Sequence, residues 1–294
     1  MAGWIDIGAN LLDPMFQGIY NGKRYHENDV SVVLDRAWRN EVDAIIVTGG
    51  TVEETRNCLT LCQTDKRLFT TIGWHPTKAA EWTIDQIAQM KHLIDGDTDR
   101  KIVAIGELGL DYDRLNYSDK QSQLQCFKAQ FGLISEYNLP LFLHCRNAFL
   151  DFYPILLENR DLFSTGVVHS FTGSLDEAYA FIDLGLYIGL NGCSLKTEEN
   201  AKIVENIPVE RILFETDAPW CTMRPTHYST KCCKSNVSMV PKERYTKTLP
   251  VKGRNEPCFV KNVASVVSWI KNIPLENLSE IIRQNTTTVF GNIV

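Results

Sequence analysis

The stretch IVAIGELGLDYD, residues 102–113, decides how the chain is read. It opens as a short β-branched apolar run and halts at Gly106, with a carboxylate, Glu107, directly behind. Apolar runs bounded by glycine form strands buried on both faces, the kind from which parallel sheets are built. A carboxylate at the carboxyl end of such a strand loses hydration and needs an ion, ligand or partner to offset that cost. A lone glutamate there would simply reach water. The same arrangement repeated along the chain calls for a different explanation.

Seven further short apolar runs flank this one, at residues 4–8, 43–49, 68–73, 139–143, 166–168, 186–190 and 211–214. Between them apolar residues recur at three- and four-residue spacing. That spacing predicts helices near 29–40, 53–65, 83–95, 118–138, 148–158, 175–184 and 198–206, and two more at 258–271 and 275–289. Eight strands, each followed by a helix, is the pattern of a TIM (β/α)8 barrel. Alternation does not by itself show closure, so a doubly wound open sheet is the competing fold. No linker or composition shift divides the chain, and residues 1–294 read as one domain.

The apolar fraction of 44% and charged fraction of 22% are those of a soluble globular protein with an ample core. No apolar run approaches the roughly 20 residues of a membrane span, and the N-terminus lacks the basic and apolar segments of a signal peptide. The nine cysteines include no C-x-x-C pair, which disfavours both zinc ribbons and a disulfide framework. Cys58 and Cys62, and the adjacent Cys232 and Cys233, read as reduced thiols. An intracellular protein, cytoplasmic or nuclear, is expected.

The net charge of −6 argues against a protein coated by nucleic acid. Its distribution is uneven. Residues 218–256, between the last strand and its helix, hold eight Lys and Arg against Glu243 and Glu256, which is +6 and leaves −12 elsewhere. A connection of this length is functional or disordered. In a barrel it emerges on the carboxyl face, where active sites sit.

The residues that follow the strands form a constellation. Asp6 lies within the first, with Asn10 just after, and Thr48 ends the second. His75 follows the third in GWHPT, Glu107 the fourth, His144 ends the fifth in LFLHCRN, and His169 the sixth in GVVHSF. Glu215 and Asp217 follow the eighth in ILFETDAPW. One such histidine is ordinarily structural. Three at one face with carboxylates point to a metal site of mixed nitrogen and oxygen donors, able to hold Zn2+, Mn2+ or Mg2+. An ion pair bridged by a carboxylate suits displacement at phosphorus.

IDIGANL, GWHPT, AIGELGLDYDR, LFLHCRN, VVHSFTG, YIGLNG, ILFETDAPW and RNEP, in that order, resemble the TatD family of metal-dependent deoxyribonucleases over residues 5–290. NGCSLKTE and the long insert are similar to its eukaryotic branch. The resemblance implies a TIM-barrel metallohydrolase that hydrolyses DNA, often from the 3′ end, in repair or in DNA degradation. It implies metal ligation by Glu107, His144, His169 and Asp217, with Glu107 and Asp217 also catalytic. It further implies that His75 is catalytic and contacts substrate. Arg146, with the reach to clamp a phosphate, and Arg254 of RNEP are the other expected substrate contacts.

Mg2+ is the expected ion, with Mn2+ or Zn2+ as alternatives, as one ion or two. Gly8 and Asn10 stand where many family members carry two histidines, so a second ion would rest on Glu107 and Asp217, with Asp6. Arg146 reads equally as a salt-bridge partner, and Asn255–Pro257 as a helix start. Glu215 is expected to orient a ligand. Trp74, Tyr112 and Trp220 either stack on bases or pack at the rim. His26 and His92 read as surface residues, and His227 has no evident partner. DNA is the expected substrate of a monomer with no membrane association. An amidohydrolase or esterase acting on a cyclic amide or aminoacyl-tRNA, and a non-catalytic nucleic-acid-binding barrel, are the competing functions.

Overall fold

The computed structural model describes residues 3–232 and 237–293. Cys233 and Lys234, counted above among the thiols and the basic insert, lie outside the described residues. Eight parallel strands form a nearly closed barrel: β1 (Trp4–Ala9), β2 (Val42–Val47), β3 (Leu68–Ile72), β4 (Ile102–Asp111), β5 (Leu141–Arg146), β6 (Gly166–Val168), β7 (Tyr187–Leu190) and β8 (Ile212–Phe214). Each pairs with its neighbours in chain order, without the reversal that defines a doubly wound sheet. Beyond the ends of β8 and β1, Asp217 N donates to Gly8 O at 2.8 Å and Asn10 N to Ala218 O at 2.6 Å. These bonds draw the last strand against the first.

Both faces of the strands are buried, which is why they read as continuous apolar runs. In β1 and β2, Ile5, Ile7, Ala44 and Ile46 point into the barrel, while Trp4, Ala9, Ile45 and Val47 pack outward toward the helices. The C-terminal helix Leu275–Phe290 sends Val289 and Phe290 into the interior cluster with Ile5, Val103 and Leu213. It plugs the amino end of the barrel and leaves the carboxyl end to the site.

Two of the changed boundaries bear on the site. The fourth strand does not stop at Gly106 but continues to Asp111, buried throughout, through a register shift between Gly106 and Leu108 in its pairing with β5. The helix expected over 118–138 breaks into Lys120–Ala129 and the turn Phe131–Ile134. At the break, the buried Gln130 side chain accepts from Trp74 N at 2.8 Å and donates to Trp74 O at 3.2 Å. It thereby anchors the loop that carries His75.

Candidate metal centre and its cleft

The β4 bulge delivers Glu107 to the barrel mouth. Gly106 has a φ of 152°, and a Cβ there would lie 2.2 Å from the Phe142 carbonyl oxygen, so only glycine fits. Glu107 is the extra residue of the bulge, its backbone N–H bonded to Gly49 O at 3.1 Å. His144 projects from β5, His169 follows β6, and His75 opens the turn Pro76–Glu81 after β3.

These elements converge on one atom. Glu107 Oε1 has His144 Nδ1 at 2.7 Å, His169 Nε2 at 2.7 Å and His75 Nε2 at 3.2 Å. The ligand atoms of His75, Glu107 and His144 all lie within 4.8 Å of one another. His169 Nε2 is 3.1 Å from His144 Nδ1. The outward nitrogens are held as well. His144 Nε2 meets Asp111 Oδ2 at 3.1 Å, and His169 Nδ1 lies 3.5 Å from Glu215 Oε1. Glu215 is itself fixed by Ser170 N at 2.6 Å and Asn191 Nδ2 at 3.0 Å.

Each outer carboxylate takes the N–H of its imidazole, so in the neutral tautomer both inner nitrogens turn lone pairs toward Glu107. Lone pairs facing a carboxylate oxygen repel it unless a cation lies among them or an imidazole is protonated. Carboxylate–histidine pairs of this kind orient the ligands of divalent ions. His75 differs: its Nδ1 accepts from Thr77 N at 3.2 Å, which leaves Nε2 as the donor.

Electrostatics follow the same pattern. Burial alone would lower the His169 pKa, yet Glu107 and Glu215 hold it well above the usual value. His144 is raised too, Asp111 and Glu107 outweighing its burial. Burial dominates at His75 and pulls it down, which keeps that ring neutral. Burial would raise Glu107, but its histidines hold it well below the carboxylate range. His144 and His169 are thus biased toward the charged imidazolium and Glu107 toward the carboxylate.

The centre opens into a cleft of about 1100 Å³. Six carboxylates (Asp13, Glu54, Glu107, Asp111, Asp113, Asp217) line it against Lys78, Arg114, Arg146 and Lys196. Such a wall repels a phosphate chain unless a cation intervenes. Asp217 sits at a φ of 53° with Asn10 Nδ2 donating to its Oδ1 at 2.9 Å and Cys221 Sγ to its Oδ2 at 3.2 Å. Burial pushes its pKa up to about 6. Arg146 also faces the cleft, bonded to the Thr172 hydroxyl and Ser170 and not to an acid. Trp220 lines the rim, 48% exposed.

Other expectations are corrected. Arg254 does not reach the cleft: it is 1% exposed, forked onto Asp29 at 2.8 and 2.7 Å, and 3.0 Å from Glu256. Asn255 is not a helix cap; its amide donates to Thr216 O at 2.8 Å. Asp6 stays behind the site, accepting from Thr216 N at 2.8 Å and the Thr216 hydroxyl at 2.5 Å, and burial pushes its pKa up to about 8. His26, expected at the surface, is buried and stacked on Tyr245, and His227 accepts from Arg224 N; His92 is exposed as expected, and Trp74 packs in the interior.

Among the described insert residues, Trp220 and Cys221 line the cleft, whereas Lys242 lies over Tyr20 and Tyr25 and Lys247 pairs with Glu27. The cationic side chains at the cleft, Lys78, Arg114, Arg146 and Lys196, come from other parts of the chain. Asp111 and Gln130 are site residues that the strand-end pattern did not reveal.

Comparison with known proteins points the same way. The family described as TatD related DNase matches residues 5–291. The chain is 43% identical to "Deoxyribonuclease Tat-D" of Schizosaccharomyces pombe, over 97% of this chain and 95% of that one. It is 32% identical to "3'-5' ssDNA/RNA exonuclease TatD" of Erwinia amylovora, over 97% and 99%. The crystal structure of a TatD family hydrolase from Entamoeba histolytica superposes with a TM-score of 0.93 at 36% identity, covering 98% of each chain.

Proposed function

Since the chain belongs to the TatD related DNase family, hydrolases that act on phosphodiester bonds, we propose that it is a divalent-metal-dependent deoxyribonuclease that trims single-stranded DNA from the 3′ end. One observation carries this reading. His144 and His169, each backed by its own carboxylate, turn their inner nitrogens onto Glu107 at the head of an acid-lined cleft.

Glu107, His144 and His169 would hold the ion, which would supply Lewis acidity toward a phosphate oxygen and lower the pKa of water. Gly8 offers no donor, Asn10 Oδ1 accepts from the Thr48 hydroxyl and Asp6 is taken up by Thr216, so we assign one ion, with Mg2+ ahead of Mn2+ and Zn2+. Asp217, its pKa pushed up to about 6, accepts the proton of the attacking water near neutral pH. His75, neutral and anchored through Thr77, offers Nε2–H to the phosphate. Arg146 can bind two phosphate oxygens at once. Arg114 and Lys196 draw the strand in, and Trp220 offers a face for an unpaired base.

The 3′-to-5′ polarity is supported by the name of the Erwinia relative. A role in repair or breakdown of DNA, by a monomer in the cytosol or nucleus, completes the proposal. The test is degradation of a single-stranded DNA labelled at one end and then at the other. A ladder receding from the 3′ end in Mg2+, abolished by EDTA and by Glu107→Ala, is the expected result. Intact DNA in Mg2+, Mn2+ and Zn2+ alike would move the reading to an amide or carboxylic ester at the same centre.

A further inference from the structure

Two thiols share the wall of this cleft. Cys193, in the loop after β7, has its sulfur 2.9 Å from that of Cys221, in the loop after β8, and both line the cleft. The loops meet backbone to backbone: a Cβ at Gly192 would lie 2.0 Å from Cys221 O. Cys193 is pinned as well, its N–H donating to Asn191 Oδ1 at 2.9 Å. Both thiols are free. The pair continues to a site residue, since Cys221 Sγ donates to Asp217 Oδ2 at 3.2 Å. Among the described residues, the other side chain holding Asp217 is Asn10, at its other oxygen.

We propose that Cys193 and Cys221 form a reversible disulfide on exposure to a hydroperoxide, and that this bond lowers the activity of the site by removing a hydrogen bond to Asp217. Formation stands on the thiol geometry alone; the effect on activity rests on the nuclease reading. One sulfur, as thiolate, attacks a peroxide oxygen: the S–O bond forms, the O–O bond breaks, and the departing hydroxide takes a proton to become water. The second sulfur then attacks the sulfenic sulfur, the S–S bond forms, and hydroxide leaves with the second thiol's proton as another water. Two thiols lose two electrons, and hydrogen peroxide gains them. The product has no S–H for Asp217, whose Oδ2 loses that donor. A dithiol reductant reverses the exchange.

The experiment treats the full chain with hydrogen peroxide, blocks remaining thiols with an alkylating reagent, and maps cross-linked peptides by mass spectrometry. In parallel it follows DNA degradation before oxidation, after it, and after dithiothreitol. A Cys193–Cys221 cross-link is expected, with a roughly tenfold or greater loss of activity, the scale of losing an outer partner of a site residue. Dithiothreitol should restore activity, and Cys193→Ser should show no such peroxide response.

No cross-link in wild-type protein while other thiols react would overturn the proposal. A quantitative cross-link with undiminished DNA cleavage would overturn its link to Asp217. A cross-link in protein that cleaves no DNA even when reduced would support the thiol pair and count against the nuclease reading instead.

Discussion

The cluster around Glu107 and the network around Arg254 both bury ionisable groups, and they resolve their charge in opposite ways. Beneath the insert, Arg36 and Arg254 meet Asp29 and Glu256: two guanidiniums for two carboxylates, with Arg254 buried over Phe16 and Arg36 partly exposed at the edge. At the barrel mouth, histidines from three strand ends converge on a single carboxylate oxygen, and the carboxylates behind them outnumber any fixed cation. The first set is complete. The second faces a cleft and is short of positive charge, which is the condition of an ion-binding site. Buried charge therefore marks function only where its compensation is missing.

That contrast breaks if substitutions fail to separate the two regions. Glu107→Ala should lower DNA hydrolysis on the order of 10³-fold, as for loss of a central electrostatic group. Its melting temperature should fall far less than that of an Arg254 variant; steady-state kinetics beside thermal melts checks both.

Arg254→Met should do the reverse. It leaves Asp29 without its fork and Glu256 with Arg36 alone, and costs roughly 3–5 kcal/mol of stability. Denaturant unfolding measures that loss, and the fraction still folded should cleave DNA at a rate near wild type. A strong loss of specific activity without loss of stability would return Arg254 to the substrate site.

Asp111→Asn sharpens the comparison from within the site. The amide no longer holds His144 Nε2–H as a carboxylate does, and metal affinity or activity should drop about 10–100-fold. Glu107 remains in place, so added metal should recover part of the loss, which a metal titration of activity would show.

Asp6→Asn has the smallest effect, and only on pH dependence. The folded pKa of Asp6, about 8, lies above its unfolded value of 3.8, so the folded state retains a proton that the unfolded chain releases. That stabilisation is full below pH 3.8 and is lost as pH rises toward and through 8. Asp6→Asn carries no such proton, and melting curves from pH 4 to 9 should fall less steeply than wild type.

How far the site is legible in sequence depends on how local its causes are. Glu107, His144 and His169 stand out because each breaks an apolar run, and eight such runs in order are enough to expect the barrel. Asp111 stays hidden because Gly106 reads as a stop, whereas a bulge carries the strand four residues past Glu107 and brings Asp111 behind His144. Arg254 misleads for the opposite reason. Its motif is local, but its partner Asp29 lies 225 positions away, and no spacing rule connects them. Gln130 escapes notice likewise, as a helix residue whose role is to bond a loop 56 positions earlier. The cleft's cations come from scattered elements, while Lys242 and Lys247 of the basic run lie against Tyr20, Tyr25 and Glu27.

The most direct test of the metal centre is titration calorimetry of the metal-stripped protein with Mn2+, run in parallel on wild type, Glu107→Ala and Arg254→Met. Saturable binding to wild type and to folded Arg254→Met, absent from Glu107→Ala, is the predicted result. Binding to Glu107→Ala with wild-type affinity would contradict the assignment of Glu107 as the hub of the site.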